Sequence, residues 1–452
     1  MRIALVRPHY YTHLVTPQLG LGYLSSYLRG QGVRTRIVDG LLEELSPVEL
    51  ANECEPFEVV GINCLSDYFP EVIELAGELK RRGKTVIVGG PHASGAPRAT
   101  LERSGADFVV VGEGEVTLHE LLVALADGGD PAAVPGVAAA SDGGSSLRER
   151  PFVAELDSLP FPDWDAMHPH RYRHAPHGAF VKRFPVAPIV SSRGCPYECT
   201  FCASPRLWRR SIRFRSPGNV VDEIDHLVRR FGVREIHFED DNLTVKRRHV
   251  EGICELLLSR GIDVSWAAPN GVRVDTLDRE LLALMKRSGC YFLAFGVESG
   301  NQEILDRIKK GTDLETIRRA IAAARSVGIQ TQAFNIFGLP GETAETIEQT
   351  IDFNIDSGLD RAQFLLLDVL VGSELYDELS DELTPSFDRR SYQEITWCPP
   401  TVDSEVLAAA PARAFRRFFL RPRQLAGLLR RMRPRQARFV LRRLRDFGIF
   451  RP

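Results

Sequence analysis

Three cysteines with metal-ligand spacing lie in the segment SSRGCPYECTFCASP, namely Cys195, Cys199 and Cys202. A structural zinc site needs four protein ligands, commonly two CxxC pairs, and this sequence has no second pair. A 4Fe-4S cluster held by three cysteines leaves one iron open for a small molecule. Gly194 and Pro196 flank the first cysteine and suit a tight loop around a cluster. The spacing predicts an iron–sulfur site, with zinc or three structural thiols as alternatives.

The other five cysteines are scattered singly, which favours small buried side chains over a disulfide scaffold: Cys54, Cys64, Cys254, Cys290 and Cys398. The 452 residues are 44% hydrophobic and 26% charged, a composition typical of a globular enzyme with two or three domains. No apolar run approaches the roughly 18 residues of a membrane span. The first residues, MRIALVRPHYY, show no export signal. We therefore expect a cytoplasmic protein with reduced thiols.

Residues 1–140 alternate β-branched runs with helical patterns. RIALV, VRTRIV, FEVVGIN, KTVIVGG and ADFVVVG are typical of strands buried on both faces. LGLGYLSSYLRGQG and FPEVIELAGELKRRG have helical apolar spacing and end in glycine. The alternation predicts a doubly wound, Rossmann-like parallel sheet, with a ligand-binding edge at the carboxyl ends of its strands.

Residues 141–184 form a predicted linker, because the region from about residue 127 is rich in turns and interrupted by proline and glycine. A small connecting hairpin is expected there. Four histidines lie in this region: His168, His170, His174 and His177. Their spacing fits no known metal-ligand pattern, so we interpret them as surface or interdomain residues.

A second strand–helix series occupies residues 185–375. Its strands include VAPIVSSR, REIHFED, DVSWAAP, CYFLAFGV and IQTQAFNIFG. Six βα-type units are present, fewer than the eight of a closed barrel. The cysteine segment follows the first strand of this series, at the end where barrel active sites lie. Residues 376–452 are predicted to form a helical, arginine-rich C-terminal domain. The fold class is therefore α/β with a helical C-terminal region.

The cysteine segment resembles the motif of the radical S-adenosylmethionine superfamily, CxxxCxφC with an aromatic residue at φ, here Phe201. The resemblance implies that Cys195, Cys199 and Cys202 bind three irons of a 4Fe-4S cluster. The open iron would take the amino and carboxylate groups of S-adenosylmethionine, with Phe201 against the adenine. The partial (β/α)6 barrel of that superfamily agrees with the six units.

Three later segments resemble motifs of the same superfamily. IHFEDDNLT places Asp240 and Asp241 at a strand end facing the cluster, FGVESGNQEIL places Glu298 against the cofactor, and FNIFGLPGET places Gly338 where the backbone must approach closely. The alternative for Asp241 and Glu298 is that they only cap the helices that follow them.

The N-terminal region resembles the cobalamin-binding domain of many radical S-adenosylmethionine enzymes. Gly89, Gly90 and Gly112 would leave room for the nucleotide tail of cobalamin, and Ser66 would hydrogen-bond to that tail. The loop after the first strand, RPHYYTHLVTPQLG, contains two histidines but lacks the DxHxxG motif. Histidine ligation of cobalt is therefore in doubt. The alternative is a degenerate flavodoxin-like module that only docks the barrel.

These resemblances imply a cobalamin-dependent radical methyltransferase. It would move a methyl group from methylcobalamin to an unactivated carbon of a small-molecule or natural-product substrate. The alternative is a cyclisation, rearrangement or oxidation with the same cofactors and no methyl transfer. A low-potential electron donor of the flavodoxin or ferredoxin type is the implied partner.

The tail from Pro411 onward contains fourteen arginines and one acidic residue, Asp446. Arginines alternate with apolar residues in an amphipathic pattern. A charged face over a packed apolar stripe is the interpretation we favour. A membrane surface, an anionic substrate or RNA phosphates are the other partners such a tail could meet. The N-terminal region lacks the extra cysteines of tRNA methylthiotransferases, which argues against nucleic acid.

Overall fold

A computed structural model describes residues 1–12, 15–172, 181–383 and 394–431 of the chain. The fold divides into two compact units. Unit 1 contains Met1–Arg173, Cys202–Arg215 and Leu370–Ser391, and unit 2 contains His174–Phe201, Ser216–Val369 and Tyr392–Pro452. The histidines at 13, 174 and 177 and the arginine-rich residues 432–452 lie outside the described residues.

Most strands of the described chain belong to two six-stranded sheets. In chain order the strands are β1 (Arg2–Arg7), β2 (Arg34–Asp39), β3 (Val59–Asn63), β4 (Thr85–Gly89), β5 (Phe108–Val110), β6 (Val137–Ala139), β7 (Val186–Ile189), β8 (Ser192–Gly194), β9 (Ile212–Phe214), β10 (Glu235–Phe238), β11 (Ser265–Val272), β12 (Cys290–Glu298), β13 (Gln330–Phe337) and β14 (Arg361–Leu366).

The helices fall mainly between successive strands. In chain order they are α1 (Leu19–Gly30), α2 (Gly40–Glu43), α3 (Pro47–Glu53), α4 (Phe69–Arg81), α5 (Pro91–Gly95), α6 (Pro97–Ser104), α7 (Gly114–Asp127), α8 (Trp164–Met167), α9 (Ser204–Leu207), α10 (Pro217–Phe231), α11 (Arg247–Ser259), α12 (Arg279–Arg287), α13 (Gln302–Arg307), α14 (Leu314–Ser326), α15 (Ala344–Asp356), α16 (Glu374–Leu379), α17 (Ser404–Phe419) and α18 (Pro422–Arg431).

The sheet of unit 1 has the order β2-β1-β3-β4-β5-β6. Strands β1 to β5 are parallel, and β6 pairs antiparallel with β5. Both faces are buried, since Ala4 and Val6 lie in one apolar cluster and Ile3 and Leu5 in another. The doubly wound sheet predicted from the sequence is confirmed, and its order reverses between β1 and β3, where ligands bind in such folds.

The sequence predicted a connecting hairpin in the turn-rich region, and for the described residues this prediction is wrong. Between residues 127 and 185, the strand found there is β6, and it completes the edge of the first sheet. The backbone of β5 offers an unpaired edge that β6 satisfies, and pattern reasoning along one segment does not detect such a remote partner.

The sheet of unit 2 has the order β7-β10-β11-β12-β13-β14, and all of these strands are parallel. Each strand lies beside the one that precedes it in this series. This arrangement confirms the six-stranded partial barrel. The carboxyl ends of all six strands therefore meet at one end of unit 2, where the loops that carry chemistry are expected.

Helix starts in unit 2 follow from local side-chain chemistry. Ser216 accepts a hydrogen bond from the Asn219 backbone N–H at 3.1 Å, Pro217 occupies the first turn of α10, and Gly232 ends the helix with φ of 61°. Asp278 caps α12 in the same way, through the Leu281 N–H at 2.8 Å. These caps fix where each helix begins, and so they fix the length of each loop before it.

Four of the single cysteines are fully buried, as predicted, but Cys398 is only half-buried. Its position before α17 places it in a loop, where its thiol contacts the Val402 carbonyl at 3.5 Å. Helix α17 packs Phe418 into the core of unit 2, while Arg417 pairs with Asp352 at 2.6 Å. The described part of the tail therefore matches the packed amphipathic interpretation. Within the described ranges, no helix combines the length and apolar character needed to cross a bilayer.

Candidate functional site

The cysteine loop begins directly after β8. Gly194 has φ of 103°, a conformation that glycine adopts at little cost, and Cys195 follows it. Cys195, Cys199 and Cys202 are half-buried, and none of them forms a disulfide. Burial raises the pKa of the Cys195 and Cys199 thiols, and the positive charge of Lys310 opposes that rise at Cys199. Among the residues that the structure describes, no group of three His, Cys, Asp or Glu side chains lies close enough together to hold a metal ion.

Glu298 ends β12 in a strained conformation and forms a buried ion pair. Its φ is 65°, which is unusual for a residue with a side chain. Its Oε1 accepts a hydrogen bond from Lys310 Nζ at 2.8 Å, and both side chains are about nine-tenths buried. A Cβ at Gly296 would lie 2.5 Å from Glu298 Oε1, so a side chain there would displace the Glu298 carboxylate. Phe201 is half-buried in the same unit, with Lys310 Nζ 5.9 Å from its ring centroid.

Asp240 and Asp241 follow β10 but have different surroundings. Asp240 is fully buried and accepts hydrogen bonds from the Ser191 hydroxyl at 2.7 Å and the Ser192 hydroxyl at 2.5 Å. Burial raises the pKa of Asp240, and these hydroxyl donors oppose the rise. Asp240 thus holds the segment that leads into the cysteine loop. Asp241 is exposed, and its negative charge contributes to the raised pKa of Cys195.

Gly338 follows β13 with φ of 90°, and a Cβ there would lie 3.2 Å from Leu407. Its N–H donates to Glu342 Oε2 at 2.5 Å. Glu342 is completely buried, and this burial raises its pKa to about 7. The tight turn at the end of β13 is therefore held by a carboxyl group of unusual proton affinity.

In unit 1, the predicted cobalamin residues lie at the carboxyl edge of the first sheet. Ser66 follows β3, and its hydroxyl lies 2.9 Å from His92 Nδ1. Gly89 ends β4. Gly90 has φ of 114°, and a Cβ there would lie 2.7 Å from the Cys64 carbonyl oxygen. The backbone of Gly90 thus packs where no side chain fits.

Gly112 follows β5 with φ of 79°, and nothing lies within 4 Å of the position its Cβ would take. Its N–H donates to Ser94 Oγ at 3.0 Å. The next residue, Glu113, accepts from Arg213 Nη1 at 2.8 Å and from the Val153 N–H at 2.8 Å. These bonds hold the loop after β5 in place while leaving open space beside Gly112.

A cavity of about 430 Å³ opens beside this loop within unit 1. Gly112 and Ser94 are among its lining residues, together with Phe152, Arg206 and Arg209. Ser66, Gly89 and Gly90 do not line it. The structure therefore places all four predicted residues at one sheet edge but brings only Gly112 to this cavity.

The residues present fit the implied cofactors in chemistry and in space. Three half-buried cysteines that form no disulfide follow a glycine turn, with the cationic Lys310 near Cys199, and they are a ligand set for an iron–sulfur cluster. The side-chain-free backbone at Gly90 and the open space at Gly112 suit a large flat ligand at the edge of the first sheet.

Sequence reasoning missed Lys310, Arg273 and Glu342. Lys310 lies twelve positions after Glu298, and Arg273 lies at the end of β11. Their roles depend on contacts between separate loops, so periodicity contains no signal for them. Glu342 stands in the quoted segment FNIFGLPGET, and a carboxyl after a glycine turn was the available clue.

Comparison with protein families finds two domains in the chain. Residues 189–353 match the model of the radical SAM superfamily, and residues 12–122 match the B12 binding domain. The chain is also 30% identical over 423 residues to an uncharacterized methyltransferase of Pyrococcus horikoshii, covering 90% of this chain and 89% of the relative. The chain belongs to the radical S-adenosylmethionine superfamily. It is a radical S-adenosylmethionine enzyme that carries a B12 binding domain.

Other proteins similar to this chain differ in the reactions for which they are named. The anaerobic magnesium-protoporphyrin IX monomethyl ester cyclase of Rubrivivax gelatinosus is 30% identical over 439 residues, covering 93% of this chain and 78% of the cyclase. The radical S-adenosylmethionine methyltransferase TsrM of Kitasatospora setae, solved with tryptophan substrate and a SAM analogue, has a TM-score of 0.73 and 19% identity. It covers 96% of this chain and 90% of TsrM. The fold of this radical S-adenosylmethionine enzyme is thus that of TsrM along almost its whole length.

Proposed function

We propose that the chain is a cobalamin-dependent radical S-adenosylmethionine methyltransferase acting on an unactivated carbon of a small molecule. The observation that carries this proposal is the presence of two complementary sites in one chain. A three-cysteine loop follows β8, shortly after the first strand of a six-stranded parallel sheet. Glycines lie at the carboxyl edge of the doubly wound sheet, which lies in the region that matches the B12 binding domain. The methyltransferase relative from Pyrococcus horikoshii, similar over nine-tenths of the chain, supports the methyl-transfer outcome.

In this proposal Cys195, Cys199 and Cys202 hold a 4Fe-4S cluster, and the edge containing Ser66, Gly89, Gly90 and Gly112 holds cobalamin. When bound, the cofactors supply one-electron cleavage of S-adenosylmethionine and a carrier for a methyl group. In the overall balance, a substrate C–H bond becomes C–CH₃. Two S-adenosylmethionine molecules yield 5′-deoxyadenosine with methionine and S-adenosylhomocysteine, and two electrons enter from outside.

The residues of this chain then bind and orient. Glu298 and Lys310 present opposite charges beside Phe201, which suits an amino acid moiety with an ammonium and a carboxylate. Asp240 keeps the entry to the cysteine loop in one conformation through its serine bonds. Gly338 lets the backbone at the end of β13 approach a bound nucleoside. None of these residues needs to move a proton during hydrogen abstraction.

A non-methylating reaction with the same cofactors is the second candidate. The similarity to the Rubrivivax gelatinosus cyclase over 93% of the chain favours it. The two outcomes differ in mass: methylation adds one CH₂ to the substrate, whereas cyclisation or oxidation changes hydrogen or oxygen count without carbon. S-Adenosylmethionine with a deuterated methyl group distinguishes them, since only methylation transfers the label.

The first experiment tests the cofactors without knowledge of the substrate. The chain is purified without oxygen, reconstituted with iron, sulfide and hydroxocobalamin, and assayed for bound iron and cobalt. S-Adenosylmethionine and a reductant are then added, and 5′-deoxyadenosine is measured. We expect iron and cobalt to remain bound and 5′-deoxyadenosine to form. The Cys195→Ala, Cys199→Ala, Cys202→Ala triple variant should keep cobalt and lose iron, whereas the control Cys254→Ala should keep both. Iron retained by the triple variant would contradict the cluster assignment.

The second experiment searches for the substrate. Candidate small molecules are incubated with the loaded enzyme and deuterated S-adenosylmethionine, and products are examined by mass spectrometry. A labelled CH₂ gain with S-adenosylhomocysteine supports methyl transfer. Substrate-dependent 5′-deoxyadenosine with no label in the product would support the second candidate.

A flavodoxin- or ferredoxin-type protein is proposed as the electron donor, because only three of the eight cysteines are clustered and the proposed cluster uses all three. Contact with a membrane surface is also proposed: helix α17 packs Ala414 and Phe418 into unit 2, whereas Leu420 and Leu425 are exposed. The electron donor is tested by supplying each donor type with S-adenosylmethionine and measuring the 5′-deoxyadenosine that forms. Flotation with anionic vesicles tests the membrane contact, and absence of flotation would exclude it.

A further inference from the structure

A buried arginine of unit 2 contacts Tyr197 in the cysteine loop. Arg273 follows β11 directly and is only 8% exposed. Its guanidinium carbon lies 3.7 Å from the centroid of the Tyr197 ring. Tyr197 stands midway between Cys195 and Cys199 in the sequence. The distance is that of a close cation–π stack, and burial strengthens such an interaction because water does not compete for the charge.

The edge of the same guanidinium binds a second segment. Nη1 donates to the Lys310 carbonyl at 2.6 Å, and Nη2 donates to the Gly311 carbonyl at 2.8 Å. Nε donates to Asp275 Oδ1 at 2.8 Å, which orients the plane. A planar fork with several donors can bridge two carbonyls and present its face to a ring, whereas the single ammonium of a lysine cannot.

The second segment is itself attached to the cysteine loop and to the ion pair of the site. The Thr200 N–H, next to Cys199, donates to the Ile308 carbonyl at 3.1 Å. Lys310 Nζ pairs with Glu298 at the end of β12. Arg273 therefore joins the loop that carries the thiols to the segment that carries the ion pair.

We propose that Arg273 is a positioning residue that holds the cysteine loop in register with the Glu298–Lys310 pair. The inference rests on the proposed function, because it assumes that the loop binds an iron–sulfur cluster. The fork holds the geometry of the loop, and its charge stabilises the added negative charge of a reduced cluster. Substitutions of Arg273 distinguish the two effects, because lysine keeps the positive charge but not the planar set of donors, whereas glutamine keeps neither.

The test compares Arg273→Gln, Arg273→Lys and the wild type, each reconstituted without oxygen. Cluster binding is measured as iron retained against a chelator, and the midpoint potential is measured by redox titration with electron paramagnetic resonance. We expect both variants to bind the cluster about tenfold more weakly, because loss of a residue that supports metal ligands commonly has this effect. Arg273→Gln should also shift the potential downward, whereas Arg273→Lys, which keeps the charge, should restore it.

Arg247→Gln is the matched control. Arg247 lies in the same unit and also pairs with acidic residues, but it is about one-third exposed on α11. It should leave iron retention and potential unchanged. Equal retention and equal potential in Arg273→Gln and wild type would overturn the proposal.

Two further measurements keep the inference testable if Arg273→Gln does not fold. Tyr197→Leu removes the ring while leaving the hydrogen bonds of Arg273 in place, and it should lose iron as Arg273→Gln does, whereas Tyr197→Phe should not. Hydrogen exchange at the Thr200 N–H of the cofactor-free chain should be faster in Arg273→Lys than in wild type. If the wild type binds no iron, the proposed function fails, but the exchange measurement still decides whether Arg273 holds the loop. Unchanged exchange at the Thr200 N–H would overturn the role proposed for Arg273.

Discussion

Glu342 should make the stability of unit 2 depend on pH in an unusual direction. Its side chain is completely buried at the turn after β13, and burial raises its pKa to about 7 from the ordinary 4.5, although the backbone N–H groups of Gly338 and Leu339 oppose the rise. In the folded chain this carboxyl keeps its proton through the interval in which the unfolded chain releases it. Folding is therefore favoured at low pH, and the contribution of Glu342 is lost as pH rises from about 4.5 to about 7.

The size of the effect follows from the two pKa values. At about 1.36 kcal/mol per pH unit, the interval corresponds to a fall of about 3 kcal/mol in the free energy of unfolding. Above about pH 7 the folded carboxyl is also ionised, so the contribution of this residue becomes constant. The Glu342→Gln substitution keeps the shape and the acceptor for the Gly338 N–H but does not titrate, so it should remove this pH dependence.

The assay is urea unfolding at several pH values across this interval, with wild type, Glu342→Gln and the control Glu345→Gln. Glu345 lies exposed in the first turn of α15. The difference in unfolding free energy between wild type and Glu342→Gln should change by about 3 kcal/mol across the interval, with the wild type losing stability as pH rises. The difference between wild type and Glu345→Gln should stay nearly constant. A wild type and a Glu342→Gln variant with the same pH slope would refute the reasoning.

Four further substitutions test packing inside each unit by urea unfolding, and one of them also tests cobalamin retention. Gly77→Ala, inside α4 with open space around it, should stabilise the chain by about 0.5–1 kcal/mol. Gly252→Ala should give no such gain, because its Cβ would lie 2.9 Å from a proline ring. Equal gains in stability from the two substitutions would contradict this. Asp39→Asn leaves Arg7 buried without its charged partner, and it should cost about 3 kcal/mol; a loss under about 1 kcal/mol would contradict a buried pair. Gly90→Ala, with φ of 114° and a carbonyl oxygen 2.7 Å from the new Cβ, should destabilise unit 1 and weaken cobalamin retention, and unchanged retention would argue against that edge as the site.

The strands and helices were largely predictable because their signals are local. Buried parallel strands appear as β-branched runs, and helix starts appear as serine or aspartate before an apolar stripe, as at Ser216 and Asp278. Two short strands were not predicted, β9 and β6, and β6 looked like part of a turn-rich connection. It is a strand because β5 offers an edge to pair with, and that edge is about thirty residues away along the chain.

The candidate site likewise has features that the local sequence predicts and contacts that it does not predict. The thiol spacing of the cysteine loop and the aromatic residue at Phe201 are local features, so the resemblance found them directly. Asp240 was expected to face the cluster, and in the structure its carboxylate accepts hydrogen bonds from the Ser191 and Ser192 hydroxyls. Its contact with a bound cofactor stays a prediction, as do those of Glu298 and Gly338.

The sequence by itself determined the two-sheet architecture, the three-cysteine loop and the glycine positions at the sheet edges, because spacing, periodicity and backbone conformation depend on near neighbours. Only the tertiary structure decided which charges meet. Lys310 becomes the partner of Glu298, and Arg273 stacks on Tyr197, because folding brings separate loops together. Burial removes water from Glu342 and raises its pKa to about 7. Electrostatic energies depend on those distances and on burial, and neither quantity is written in the order of residues along the chain.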